Sequence, residues 1–246
     1  MVSDSIDLPF FPKYDIEYVF DEKIRVTWFE SHFSQSHYNV HNTSKGSNAC
    51  TLIAVLMASK CNQYKVVING PQKCLNIRLI QLLASSMLEG NRIHEELKLR
   101  NVLKHINLNV PEAIKYAGKQ ASKMTEWKSE VYMEPLNKSL FDNIRKNWKE
   151  WVRPNSETEK LDMYIILVAD SRTVLFLIQT KTDTVTLVDS HQHSSEKGAF
   201  IAISRRSKLK LLCQWYNEVL SKFYDSEPLL YELSFLYFKQ KSELTT

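Results

Sequence analysis

The chain has 246 residues, enough for one large domain or two small ones, with 43% hydrophobic and 24% charged residues. A formal net charge of +4, spread along the chain, leaves no footprint that demands nucleic acid or an anionic membrane. Only 5 glycines argue against a Gly-rich phosphate cradle or a barrel of tight turns.

Residues 1–15, with Pro9 and Pro12 around Phe10 and Phe11, read as an irregular arm. Ile24 to Phe29 alternates and is β-branched, which predicts a strand. Residues 30–45 are polar and rich in His, Ser and Asn, and predict a functional loop. From Asn48 the pattern turns apolar and runs to about Lys60, a central buried helix. Tyr64 to Ile68 predicts a short strand closed by Asn69-Gly70-Pro71. Leu75 to Leu83 predicts a helix ending near Gly90, and Ile93 to Ile106 continues at helical spacing. Pro111 starts another helix, and Leu140, Ile144, Trp148 and Trp151 mark a further one. Pro154 to Glu157 reads as a linker.

Beyond it the character changes. Met163–Val168, Val174–Ile178 and Val185–Val188 are strand-like runs, with Asp170-Ser171-Arg172 and Thr182-Asp183 as turns between them. Phe200–Ile203 suggests a fourth strand, 207–224 a helix, and Leu229 to Phe238 a last strand. The expected fold class is α+β: one domain over 1–246, with a mainly helical part over 16–155 packed on an antiparallel sheet part over 156–246.

Two distant segments carry the chemistry. Gly46-Ser47-Asn48-Ala49-Cys50 is a polar turn that delivers a thiol to the start of an apolar helix. There the helix terminus lowers a thiol pKa, and its unpaired N–H groups suit an oxyanion. Leu187-Val188-Asp189-Ser190-His191 is a strand ending in an acid and an imidazole. Positions i and i+2 share a strand face, so Asp189 and His191 are expected to face the cysteine helix together. Read alone, Cys50 is a small core residue and Asp189-Ser190-His191 a polar turn. Read together, in the order Cys, Asp, His and with Cys50 and His191 lying 141 residues apart, they look like a papain-type cysteine-hydrolase site. His193 is the competing base, on the same face if the strand persists.

Gly-Ser-x-x-Cys opening an apolar helix resembles the herpesvirus large tegument protein deubiquitinase family. So does the hairpin Thr173 to Val188 leading into Asp189-Ser190-His191 and then Gly198–Ile203. The likeness covers roughly 30–62 and 160–205. It implies a papain-like fold, ubiquitin isopeptide cleavage and a ubiquitin or ubiquitin-like partner. It also implies Cys50 as nucleophile, His191 as base, Asp189 as its orienter, and an upstream glutamine as oxyanion donor. Two departures stand out. Ala49 occupies a position where the family usually has Gln, and Gln35 lies 15 residues upstream of Cys50 rather than about a dozen. Asn48 is the alternative donor.

The alternative reading is a catalytically inactive papain-like module that serves as a protein-binding scaffold, and a third is an ordinary α+β interaction domain. Cys61, Cys74 and Cys213 read as core residues beside helical faces, with no CxxC pair. His37 and His41 lie four apart in a loop without a third ligand, so no metal is expected, nor any cofactor. Trp148, Trp151, Trp215, Tyr216 and Tyr237 are spaced as core rather than as a nucleotide platform. Arg205, Arg206, Lys208 and Lys210 read as a solvated helix start. No nucleic-acid or membrane partner is expected. The amino terminus lacks a signal-peptide pattern, which suggests a reducing compartment, cytoplasmic or nuclear.

Overall fold

The computed structural model describes residues 8–38, 47–152 and 161–239. Eight strands join one antiparallel sheet: β1 (Tyr14–Val19), β2 (Ile24–Glu30), β3 (Met124–Tyr132), β4 (Met163–Ala169), β5 (Arg172–Gln179), β6 (Thr184–Asp189), β7 (Lys197–Arg205) and β8 (Tyr231–Phe238). Their order is β1-β2-β7-β6-β5-β4-β8-β3. Alternate side chains of the central strands feed two cores. Ile166, Leu175, Leu177 and Val188 belong to one, Ile165, Val174, Phe176 and Leu187 to the other. The first core takes α1 (Cys50–Gln63), α2 (Ile77–Leu99) and α3 (Val110–Ala117). The second takes α4 (Leu136–Val152) and α5 (Leu209–Tyr224). The fold is α+β, with the N-terminal helices packed on an antiparallel sheet, and α4 and α5 cover its other face.

Helix α1 has no polar face because it is enclosed all round: every residue from Cys50 to Cys61 is buried. It rests on β4 and β5 and is covered by α2 and α3. The close approach of α2 is made at Gly90, where a Cβ would stand 2.6 Å from Ile53 Cγ1. Gly90 therefore lies inside α2 instead of ending it, and the two expected helical segments merge into one helix of 23 residues that stops at Leu99, so Val102, Leu103 and Ile106 are not helical.

Three further expectations are corrected. Val66 and Ile68 are buried but form no strand. A side chain of β5 satisfies their backbone instead: Ile68 N–H donates to Gln179 Oε1 and Gln179 Nε2 to the Val66 carbonyl, both at 2.9 Å. Second, β1 and β3 were not expected, and both are outer strands of the sheet. Part of β1 falls within the expected irregular arm. Third, Cys74 is exposed, whereas Cys61 and Cys213 are buried. The expected linker at 154–157 lies outside the described residues. No described helix is long and apolar enough to cross a membrane.

Candidate active site

Three loops and one helix start converge at the end of the sheet where β6 stops. Cys50 is the first residue of α1, and its N-cap, Ala49, places no side chain over the helix terminus. The first-turn N–H groups thus keep no capping oxygen from that position. Thr51 Oγ1 and Thr173 Oγ1, 3.0 Å apart, tie the helix start to β5.

Asp189 closes β6 and is fully buried. Its Oδ1 accepts from the His191 backbone N–H at 2.8 Å and faces His191 Nδ1 at 2.6 Å. A carboxylate only accepts, so the ring proton sits on Nδ1 and Nε2 is left for the thiol. The His191 side chain hydrogen-bonds Cys50. The expectation that a continuing strand would bring acid and base together is corrected. The strand ends at Asp189, and a turn closed by the Asp189 side chain brings His191 beside it.

Burial alone would push the Cys50 thiol up, but the hydrogen bond and charge of His191, with help from Thr173, bring it below the ordinary thiol value. Burial likewise opposes the charged form of His191, and the Asp189 carboxylate overrides it, so the imidazole holds its proton well above the usual range. Asp189 is resisted by burial and held far below the carboxylate range by its two histidine neighbours. The arrangement therefore favours a thiolate–imidazolium pair backed by a carboxylate.

Gln35 follows β2 and is buried. Its Oε1 accepts from Ser190 Oγ at 2.8 Å, and its Nε2 donates at 3.0 Å to the Ser47 carbonyl, which only accepts and so fixes the amide orientation. Its backbone is pinned twice: Gln35 N–H donates to the Ser190 carbonyl at 2.7 Å, and Asn91 Nδ2 donates to the Gln35 carbonyl at 2.7 Å. Ser47 Oγ donates in turn to Asn91 Oδ1 at 2.6 Å, so Gln35, Ser47 and Asn91 form a closed clasp. Gln35, Asn48, Cys50, Arg172 and His191 line one cavity of about 210 Å³. A larger cavity of about 650 Å³, around Cys61, Lys65 and Asp162, holds none of these residues and lies where α1 ends.

Several contributors carry no sequence signal of their own. Ser190 and Asn91 act by orienting Gln35 across gaps of 155 and 56 residues. Arg172 sits on a turn whose Asp170 and Ser171 both take positive φ, and its guanidinium lies 3.8 Å over the Tyr224 ring. His193 is turned away from the cavity into the α5 side of the sheet, so it does not compete with His191 for the thiol. Among the described residues no group of three or more His, Cys, Asp or Glu could hold a metal ion. His37 lies 3.2 Å from Ser34 Oγ through Nδ1, and His41 lies outside the described residues.

No protein-family model and no curated protein matches the sequence. Among solved structures, the chain is similar to the ubiquitin-specific protease encoded by a murine cytomegalovirus tegument protein, in complex with a ubiquitin-based suicide substrate. The identity is 12%, 88% of each chain is covered, and the TM-score is 0.47. It is also similar to the Pseudomonas avirulence protein AvrPphB, at 9% identity, over 77% of this chain and 91% of that one, with a TM-score of 0.45.

Proposed function

We propose that this chain is a papain-like cysteine hydrolase that cleaves after the C-terminal tail of ubiquitin or a ubiquitin-like protein. The observation that carries the chemistry is the relay Asp189–His191–Cys50, in which acid, base and thiol are in contact and the thiol is held below its ordinary pKa. In this reading the Cys50 thiolate attacks the scissile carbonyl carbon and forms the S–C bond. The carbonyl electron pair moves onto oxygen, where the second N–H of Gln35 and the Cys50 backbone N–H stabilise it. His191 gives its Nε2 proton to the departing amine as the C–N bond breaks. It then takes a proton from the water that attacks the thioester, and Cys50 is regenerated. Asp189 keeps His191 in the tautomer that both steps need.

The substrate class rests on the sequence resemblance and on the small cleft. A tail ending in two glycines is the kind of chain a narrow site accepts. Four free thiols suit a reducing compartment, cytoplasm or nucleus. One observation favours the alternative of a binding module without turnover: Cys50 is only 4% exposed. A ubiquitin with an electrophile at its C-terminus separates the two. Under the hydrolase reading it forms a 1:1 adduct on Cys50 of the native chain and none on Cys50→Ala, which still binds unmodified ubiquitin. Binding without adduct would establish the inactive module, and neither binding nor adduct would remove ubiquitin from the account.

A further inference from the structure

Asp189 is approached from two sides. Its Oδ1 serves His191. Its Oδ2 is buried and makes no hydrogen bond among the described residues, although His193 Nε2 lies 3.4 Å away. That nitrogen is also buried without another partner. The opposite ring nitrogen, Nδ1, lies 2.8 Å from the Gly198 carbonyl oxygen. A carbonyl oxygen only accepts, so Nδ1 carries a proton. Were Nε2 bare, its lone pair would face a carboxylate oxygen in a site closed to water. A proton on Nε2 turns the same approach into a charge-assisted donor–acceptor pair.

The surroundings suit a ring cation. The His193 side chain has no exposed surface. Phe200, Trp28, Tyr224 and Phe223 enclose it, with ring centroids 5.0, 5.1, 5.4 and 5.6 Å away. Aromatic rings tolerate a desolvated cation far better than aliphatic walls. Other charged groups sit outside this box. Lys197 Nζ lies 4.4 Å from the Trp28 ring and Arg172 lies over Tyr224, while Glu17 accepts from Trp28 Nε1 at 2.8 Å. The Tyr224 hydroxyl donates to the Gln192 carbonyl at 2.9 Å, and burial keeps it and Tyr216 protonated. Asp189 is thus the anion that faces His193 directly.

We infer that His193 is a positioning residue for the relay: its Nε2–H holds Asp189 Oδ2, aims Oδ1 at His191 and adds the positive charge that balances the buried anions. The inference rests on the reading of Cys50 as nucleophile. Cys50 thiolate, His191 imidazolium and Asp189 carboxylate alone would leave one uncompensated negative charge. With His193 the four charges cancel. Removing that charge should make the thiolate harder to form.

The test needs no substrate. In the native chain labelled with ¹⁵N-histidine, both nitrogens of His193 are expected to carry protons at pH 7; a bare Nε2 overturns the inference. The pH dependence of Cys50 alkylation by iodoacetamide is then followed by peptide mass spectrometry. His193→Phe fills the box without a donor, and Cys50 alkylation at pH 6 should slow roughly tenfold with its profile moved to higher pH. His193→Gln keeps an N–H donor and should regain part of the rate. A folded His193→Phe with the native profile, or equal loss in both variants, overturns the inference. If His193→Phe does not fold, His193→Gln and the native ring spectrum decide. A native chain with the expected profile but no turnover overturns the hydrolase reading alone.

Discussion

In the proposed reading Gln35 carries a role that its own neighbourhood in the sequence barely suggests. Its amide has a donor end and an acceptor end, and the Ser47 carbonyl, which only accepts, together with the Ser190 hydroxyl, 155 residues away, sets which faces the cavity. Gln35→Ala is expected to lower kcat by about 10²–10³ with little change in KM, because an oxyanion donor acts in the transition state. Steady-state kinetics on a C-terminal ubiquitin conjugate checks it. The thiols make a second test. Burial pushes Cys61 up to about 12 and Cys213 higher still, so both should resist iodoacetamide at pH 7. Cys50 should label through its thiolate and Cys74 through its exposure. His191→Ala should leave Cys74 as the labelled thiol, which peptide mapping would show. Cys50, Asp189 and His191 were legible in the sequence because each lies at a local boundary, a polar turn before an apolar helix or the polar end of a strand. The resemblance implies His191 as the base, whereas strand alternation alone leaves His193 competing. The strand ends at Asp189, and the turn after it sends the two rings to opposite sides.

Elements were legible where apolar periodicity was strong, and missed where the chain borrows its backbone partners. β1 has alternating acidic residues and an exposed outer edge, and β3 is partly exposed at every position after Met124, so neither shows a buried face. Tyr64–Ile68 has the composition of a strand but no neighbouring strand to pair with. Gly90 looks like a helix terminator because its packing partner, Ile53, lies in another helix. Gly198 has a sharper role at the start of β7. A Cβ there would stand 2.3 Å from the Glu30 carbonyl oxygen and 2.5 Å from that of Phe33. Backbone cannot yield as a side-chain tip does, so Gly198→Ala is expected to destabilise by about 1–3 kcal/mol or more. It should also displace the loop that holds Gln35, two residues beyond Phe33. Denaturant titration and Cys50 alkylation of the same variant measure the two effects.

Across the whole molecule, the buried relay ties stability to pH in a distinctive way. His191 has a raised folded-state pKa, so its contribution is full below its unfolded value near 6.5 and is lost as pH rises through the folded value. Cys50 has a lowered folded-state pKa, so its contribution is full above the unfolded value near 8.5 and is lost as pH falls through the folded one. Wherever the folded pair is thiolate and imidazolium while the unfolded pair is thiol and neutral imidazole, each pair holds one proton and the two slopes oppose. These two groups therefore contribute no net slope there. Cys50→Ala removes one slope, so its stability should fall more steeply than the native chain's as pH rises through that window, by up to about 1.4 kcal/mol per pH unit. Denaturant midpoints at several pH values test this; a flat profile in both proteins would mean that His191 is not held protonated. The sheet order behind this site was not legible in full. A helical half followed by a sheet half was the natural reading, whereas β1, β2 and β3 leave the N-terminal half to join the later strands.

The clasp of Gln35, Ser47 and Asn91 has a consequence for how this chain tolerates change. It fastens Gln35 and Ser47 to each other and to α2, so both residues are held beside the thiol site from that helix. Loop-closure entropy grows slowly with length once the ends are fixed. An insertion of several glycines and serines between Thr43 and Ser44 should then leave Cys50 alkylation unchanged. What the two anchors fix, a change of length between them should leave alone.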